Sequence, residues 1–445
     1  MNLASLGFIF HFLPIFLIAY FVTPVRFRKY TLLAGSLVFY AMSGLVNITI
    51  LAGLTLINYL CLYGIQKFTS GRRLLLALGV TIDVATLVLF KYFNTGIAIP
   101  LGLSFFNFAM LSSLIDSYNG KIAGTKFTDY LTYVTMFPQL ISGPITRFTE
   151  IGSRFKRPIV VKPRFLEQGI TLFALGLSYK VLLADKFMAL WNNIYRVGPQ
   201  GMDVATAWLG ALGFSLEIYF DFAGYSMMAI GLGRILGFRL PDNFDDPYST
   251  KTMTGFWRKW HMTLGRWFRD YVYIPLGGNR KGTARTIFNL FAVWMLTAIW
   301  HGPTLNFLVW GLFLFLFIFL EKYVYGSFLE KSKVLGHIYM MILIPISWTI
   351  FKITDVKLLF EYICRMFGIK LEGMAVSGFN KFVSLILEYW WLIIIGLIFA
   401  SPLPNYLLKR FFDNPVLKLV ILALFWFSIY ELITVGSNPF LYFAF

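Results

Sequence analysis

Apolar runs about as long as a bilayer is thick recur from one end of this chain to the other. Examples are "LGFIFHFLPIFLIAYFV", "LLLALGVTIDVATLVLF", "FLVWGLFLFLFIFL" and "WWLIIIGLIFA", several of them near the ~20 residues that a helix needs to cross hydrocarbon. Backbone in lipid has no water to bond, so such runs must satisfy their N–H and C=O groups internally, as helices. Counting runs by length predicts about eleven transmembrane helices, with shorter or re-entrant helices between them. The first run has no basic residue before it and no small-residue cleavage site after it, so it reads as a retained span, not a signal peptide. With 13% charged residues, against ~25% in soluble domains, the expected fold class is all-α: a polytopic membrane protein.

The charge balance, 39 basic against 21 acidic residues, would suggest nucleic acid as a partner for a soluble chain. Here the basic residues cluster in short loops, at Arg26/Arg28/Lys29, Lys67/Arg72/Arg73 and "RFTEIGSRFKRPIVVKPRF" from Arg147 to Phe165. In such loops they fix topology and meet anionic lipid. The last cluster is the best cytoplasmic assignment, and no nucleic-acid partner is expected. Cys61 and Cys364 sit among apolar neighbours and offer neither a disulfide framework nor metal spacing.

No soluble insertion, repeat or low-complexity linker interrupts the chain, so residues 1–445 read as one membrane domain. Its working core is roughly 146–310, where polar residues concentrate. There "FWRKWHMTLGRWFRDYVYI" places Phe256, Trp260, Leu264, Trp267 and Tyr271 at helical spacing, predicting one helix with an aromatic face. It is too polar to face lipid and better suited to a protein-walled cavity.

Four histidines occur. His301 closes the apolar run "LFAVWMLTAIWHGPT", where Gly302-Pro303 stops the helix. An ionisable group at such a break is either bonded to a helix carbonyl or functional, and a neutral imidazole is a competent base. His261, inside the aromatic stretch, has the same two readings, while His11 and His337 look interfacial. Competing templates fail. "GGNRKGT" has Thr283 where a phosphate loop needs lysine, and "GYSMM" lacks the second glycine of a nucleophile elbow. Glu217 and Asp221 share a helix face and suit pairing with Lys or Arg, or proton or ion traffic. Asp83 is a lone acid within its span.

Several segments together resemble the membrane-bound O-acyltransferase (MBOAT) family: "LPIFL", "MFPQLISGPITRF", "YFDFAGYSMMAIGLGRILGFRLPDNFDDPY", "FWRKWHMTLGRWFRDYVYIPLGGNRKGT" and "IWHG". The similarity runs over essentially the whole chain and is strongest to the bacterial polysaccharide O-acetyltransferase branch, which includes the membrane subunit of alginate O-acetylation. The W-R-x-W-H block with a downstream W-H-G is specific as a pair. Gly265 departs from the serine expected in that branch.

The resemblance implies helices around a central cavity and His301 as the catalytic histidine. It also implies a positioning role for His261, with Trp260, Trp300, Asp221 and Arg269 supporting the cavity. The final Phe440-x-Tyr442-x-x-Phe445 resembles a tail signature (439–445) whose tyrosine is proposed to carry the acyl group. The donor it implies is cytosolic acetyl-CoA, a cosubstrate whose phosphates Arg147 or Arg154 would attract; no permanently bound cofactor and no metal are expected. With no soluble domain to grip a polysaccharide, the chain is expected to work with a separate partner, which the resemblance implies is an extracytoplasmic serine (SGNH-type) O-acetyltransferase. The setting implied is the bacterial cytoplasmic (inner) membrane. D-alanyl transfer, direct transfer without a tyrosine relay, and an ion-coupled transporter are the alternatives.

Overall fold

The computed structural model describes residues 2–371 and 380–436. Among them, all regular structure is helical. Seven of these helices are long and apolar enough to cross a bilayer: Leu45–Lys67, Arg72–Tyr92, Thr283–His301, Leu305–Lys331, Leu335–Lys352, Lys381–Phe399 and Pro415–Thr434. Other apolar runs become shorter helices. Leu103–Tyr118 is one, and almost every side chain on it is buried in protein. The contacts divide the chain into two compact units.

The first unit holds the residues up to Leu177, Gly224–Asn243 and a segment from Ile421. Its spans Leu45–Lys67 and Arg72–Tyr92 are joined by a short turn through Gly71, whose φ of 78° suits glycine. Asp83, fully buried within the second span, is met from two neighbouring helices. Asn58 Nδ2 donates to its Oδ1 at 2.7 Å, and Asn107 Nδ2 donates to its backbone carbonyl at 3.2 Å. Phe12, Phe16 and Phe39 surround Phe137 at ring distances of 5.6, 5.1 and 5.4 Å.

Within this unit the helix Pro163–Ser178 crosses the last part of Val204–Ile235 backbone to backbone. A Cβ on Gly169 would lie 2.6 Å from the Gly231 carbonyl oxygen, and one on Gly176 would lie 2.4 Å from that of Gly224. Glycines two turns apart on both helices permit this approach, which membrane helices use where dispersion contacts replace the hydrophobic effect.

The second unit comprises Ser178–Ala223 and Phe244–Val420. Thr283–His301 and Leu305–Leu320 form a tight helical hairpin: a Cβ on Gly311 would sit 2.7 Å from Ala298 Cβ and 2.9 Å from the Trp294 carbonyl oxygen. Leu335–Lys352 packs on this hairpin. Its last carbonyls lack intrahelical donors, and Asn306 Nδ2 reaches those of Ile350 and Phe351 at 3.1 and 2.8 Å. Lys180, buried, pairs with Asp185 at 2.8 Å and Asp221 at 2.7 Å.

Removing one partner of such a buried group strands the other charges. Lys180→Met is expected to cost about 3–5 kcal/mol, seen as a lower melting temperature and a poorer yield of monodisperse protein in detergent. A melt equal to that of the parent chain would show that the pairs contribute nothing net.

Candidate active site

The expected single helix from Phe256 to Tyr271 is in fact broken. Met253–Lys259 ends where the Trp260 N–H bonds the Phe256 carbonyl, and Met262–Phe268 starts anew. Between them His261 takes the left-handed conformation, φ 43° and ψ 51°. A non-glycine residue held there is strained and persists only when its surroundings fix it. The surroundings do. Trp260 is buried with its ring 4.8 Å from Trp348 and 5.4 Å from Phe256, and the His261 ring stands edge-on to Phe222 at 4.7 Å. An unbroken helix would turn these consecutive rings to different sides by about 100°; the break lets both be buried.

His261 lies on the wall of a cavity of about 230 Å3, together with Trp257, Trp260, Arg258, Arg269 and Thr297. The walls are mainly apolar, with two guanidinium side chains among them. Arg269 is paired with Asp270 at 2.7 Å. The short helices on either side of His261 are not membrane-spanning segments, and burial pushes its imidazole down to about 3. His261 is therefore neutral at pH 7, able to donate through one ring nitrogen and accept through the other.

His301 is the last residue of its helix, as the Gly-Pro stop predicts. Gly302 follows at φ 157° and ψ 179°, a region kept for glycine. The buried imidazole is walled by Trp310 (5.2 Å, edge-on), Phe351 (4.9 Å, edge-on), Phe307 (5.7 Å) and Trp300 (4.5 Å). Thr297, one turn earlier on the same face, lines the cavity. Trp257 connects the two settings, with its ring 5.1 Å from Trp294 and 5.6 Å from Trp310.

The structure thus gathers Trp260, His261 and Arg269 around one cavity, and sets Trp300 against His301. Asp221 is committed to Lys180, the pairing anticipated for it, and its helix neighbour Phe222 supports His261. In the other unit, the Arg154 guanidinium donates to the carbonyls of Gly237 (3.1 Å) and Val160 (2.7 Å), and Arg147 begins the helix Phe148–Phe155, its N–H bonded to Glu150 at 2.9 Å. Phe440, Tyr442 and Phe445 lie outside the described residues. Sequence reasoning missed Trp310, Trp348 and Phe351, since nothing local distinguishes them from other aromatics in apolar spans. It also missed Glu321, a lone acid closing an apolar run.

The family model of the membrane-bound O-acyltransferases matches residues 32–364. The chain belongs to that family. It is a multi-pass membrane protein and an O-acyltransferase. It is 33% identical to the probable alginate O-acetylase AlgI of Pseudomonas putida over all of both chains. It is also 30% identical to the peptidoglycan O-acetyltransferase of Helicobacter pylori, over 85% of this chain and 81% of that one. A teichoic acid D-alanyltransferase of Streptococcus thermophilus is 30% identical over 48% of this chain and 54% of its own length.

The depressed His261 ionisation has a sign that can be tested. Below about pH 6.5 the unfolded chain protonates this histidine while the folded chain resists until about 3, so acid favours unfolding. Melting temperature is expected to fall from pH 6.5 to 4, less steeply in His261→Gln. Identical slopes in both proteins would mean that His261 is solvated, not buried.

Proposed function

We propose that this protein takes an acetyl group from cytosolic acetyl-CoA and passes it across a bacterial cytoplasmic membrane for O-acetylation of a cell-surface or secreted polysaccharide. The observation that carries this reading is the end-to-end similarity to a protein named for acetylating a polysaccharide. The similarity to a D-alanyltransferase covers only half the chain, which favours acetyl over D-alanyl as the cargo.

The site suits the donor. The apolar cavity suits a thioester arm, and Arg258 on its wall attracts anionic groups; Arg147 and Arg154, in the other unit, are the positions that the resemblance implies for attracting the phosphates of the cosubstrate. The residue on the cavity wall at position 265 is glycine, where a Cβ would come no nearer than 3.7 Å to another atom.

In the first step His301 accepts the proton of an attacking hydroxyl, which is a poor nucleophile without a base. The oxygen bonds the acetyl carbon, the C–S bond breaks, and the proton passes from His301 to the departing CoA thiolate. Neutral His261 donates a hydrogen bond to the oxyanion formed on the way. We assign the hydroxyl to Tyr442, the tyrosine of the Phe440-x-Tyr442-x-x-Phe445 signature. A phenol of pKa about 10 leaves its ester more readily than an alkoxide does. In the second step the serine of an extracytoplasmic SGNH-type partner attacks the tyrosyl ester, the phenol regains a proton, and the partner delivers acetyl to the sugar.

Peptide mass spectrometry after incubation with acetyl-CoA tests the relay. One acetyl on the C-terminal peptide is expected in the parent chain, absent in both Tyr442→Phe and His301→Ala; turnover without that mark removes the relay. Gly265→Leu is expected to raise the KM for acetyl-CoA by roughly tenfold, the loss of about 1.4 kcal/mol of binding, with the melt unchanged. An unchanged KM would place the donor elsewhere.

A further inference from the structure

Glu321 begins a short π turn at the end of Leu305–Leu320 and is buried. Both carboxylate oxygens are engaged. Oε1 accepts from the Met253 N–H at 2.5 Å and from the Tyr339 hydroxyl at 3.1 Å. Oε2 accepts from the Thr254 N–H at 2.8 Å and from its hydroxyl at 2.7 Å. The next N–H, that of Gly255, is taken by Thr252 Oγ1 at 3.0 Å. The first turn of Met253–Lys259 is thereby capped by an acid 67 residues away in sequence.

That helix has only seven residues, too short to hold itself together, let alone its own position. Its first N–H groups have no intrahelical acceptors, and a carboxylate there also meets the positive end of the helix dipole. Whatever fixes its start fixes its end, and its end is Trp260 and the strained His261. Glu321 closes the helix carrying Trp310, and Tyr339 sits on the helix carrying Trp348 and Phe351. One carboxylate thus ties together three of the helices whose aromatic side chains surround Trp260, His261 and His301.

We propose that Glu321 is a positioning residue for acyl transfer, holding Met253–Lys259 in the register that keeps His261 on the cavity wall. The proposal rests on the role given to His261 above. Glu321→Gln is nearly isosteric, but its amide group presents N–H where an N–H donor already points. One clamp bond is lost and the helix start is released, while the cavity walls on Thr283–His301 and Leu305–Leu320 stay in place. Misplacement of a catalytic group by about 1 Å costs up to roughly a hundredfold in rate.

The experiment is a double-mutant cycle on full-length protein in nanodiscs, reading kcat and KM for acetyl-CoA turnover per folded molecule. The variants are Glu321→Gln, His261→Ala and the pair. Glu321→Gln alone is expected to lower kcat at least tenfold with KM changed less than twofold. In the His261→Ala background it is expected to lower kcat no further. Tyr339→Phe, which removes the hydroxyl's bond to Glu321 and its contact with the Tyr325 hydroxyl but leaves the Met253 and Thr254 bonds in place, is expected to give a smaller loss of the same kind and covers the case of Glu321→Gln failing to fold. Equal losses in both backgrounds, or a loss confined to folded yield, would overturn the proposal. Full turnover by His261→Ala alone would instead sink the role assigned to His261, and the positioning role with it.

Discussion

Polar groups in this chain have to be satisfied by other protein groups, because its many apolar helices face a medium that bonds nothing. The solution recurs at several places where a charge or amide is buried. Lys180 bridges two carboxylates, Asn58 and Asn107 serve Asp83, Asn306 serves two helix-terminal carbonyls, and Glu321 serves a helix start. None is worth much as a free-standing interaction, since desolvation offsets most of the gain. Each nevertheless specifies where one helix sits against another, because breaking it leaves an unpaired group in a place without water. Apolar packing alone would tolerate helices sliding by a fraction of a turn; these bonds do not.

On that frame the two histidines are presented by opposite backbone devices. His301 sits at a helix end, where Gly302 releases the chain and Phe307 closes back over the ring. His261 sits at a helix break in the left-handed conformation, with buried Trp260 beside it. A histidine in mid-helix would be flanked by its own helix on both sides. At an end or a break, the ring can be walled by residues from elsewhere, and aromatic walls hold it in a narrow range of orientations. The cost is local strain at His261, offset by the ring contacts of Trp260 with Phe256 and Trp348.

The sequence carried the class of fold because bilayer-length apolar runs have few alternative fates, and the stop at His301 because Gly-Pro is a local signal. One of the two readings open for Asp221, pairing with a basic side chain, is what its ion pair with Lys180 shows. The break at His261 was not legible. "FWRKWHMTLGRWF" keeps helical spacing through Trp260, Leu264 and Trp267, and no glycine or proline marks the change of direction. What breaks the helix is tertiary: Trp348 and Phe222 are 88 positions later and 39 earlier than Trp260 and His261 respectively. Glu321 was illegible for the same reason, as the N–H groups that it caps lie 67 and 68 residues upstream and an acid closing an apolar run looks like an ordinary helix end.

This long-range character has a consequence for how the site can change. Trp257, Trp294 and Trp310 meet by edge-to-face contact, a geometry that tolerates little sliding without losing its electrostatic gain. A substitution that truncates one of them takes edge-to-face contacts from the other two, and through Trp310 loosens the wall of His301. Gly265, on the Met262–Phe268 helix, and Arg269, just after it, line the cavity without being part of that aromatic stack. A change in side-chain size is therefore accommodated most cheaply at Gly265, where a Cβ would come no nearer than 3.7 Å to another atom, leaving the tryptophans and the two histidines in register.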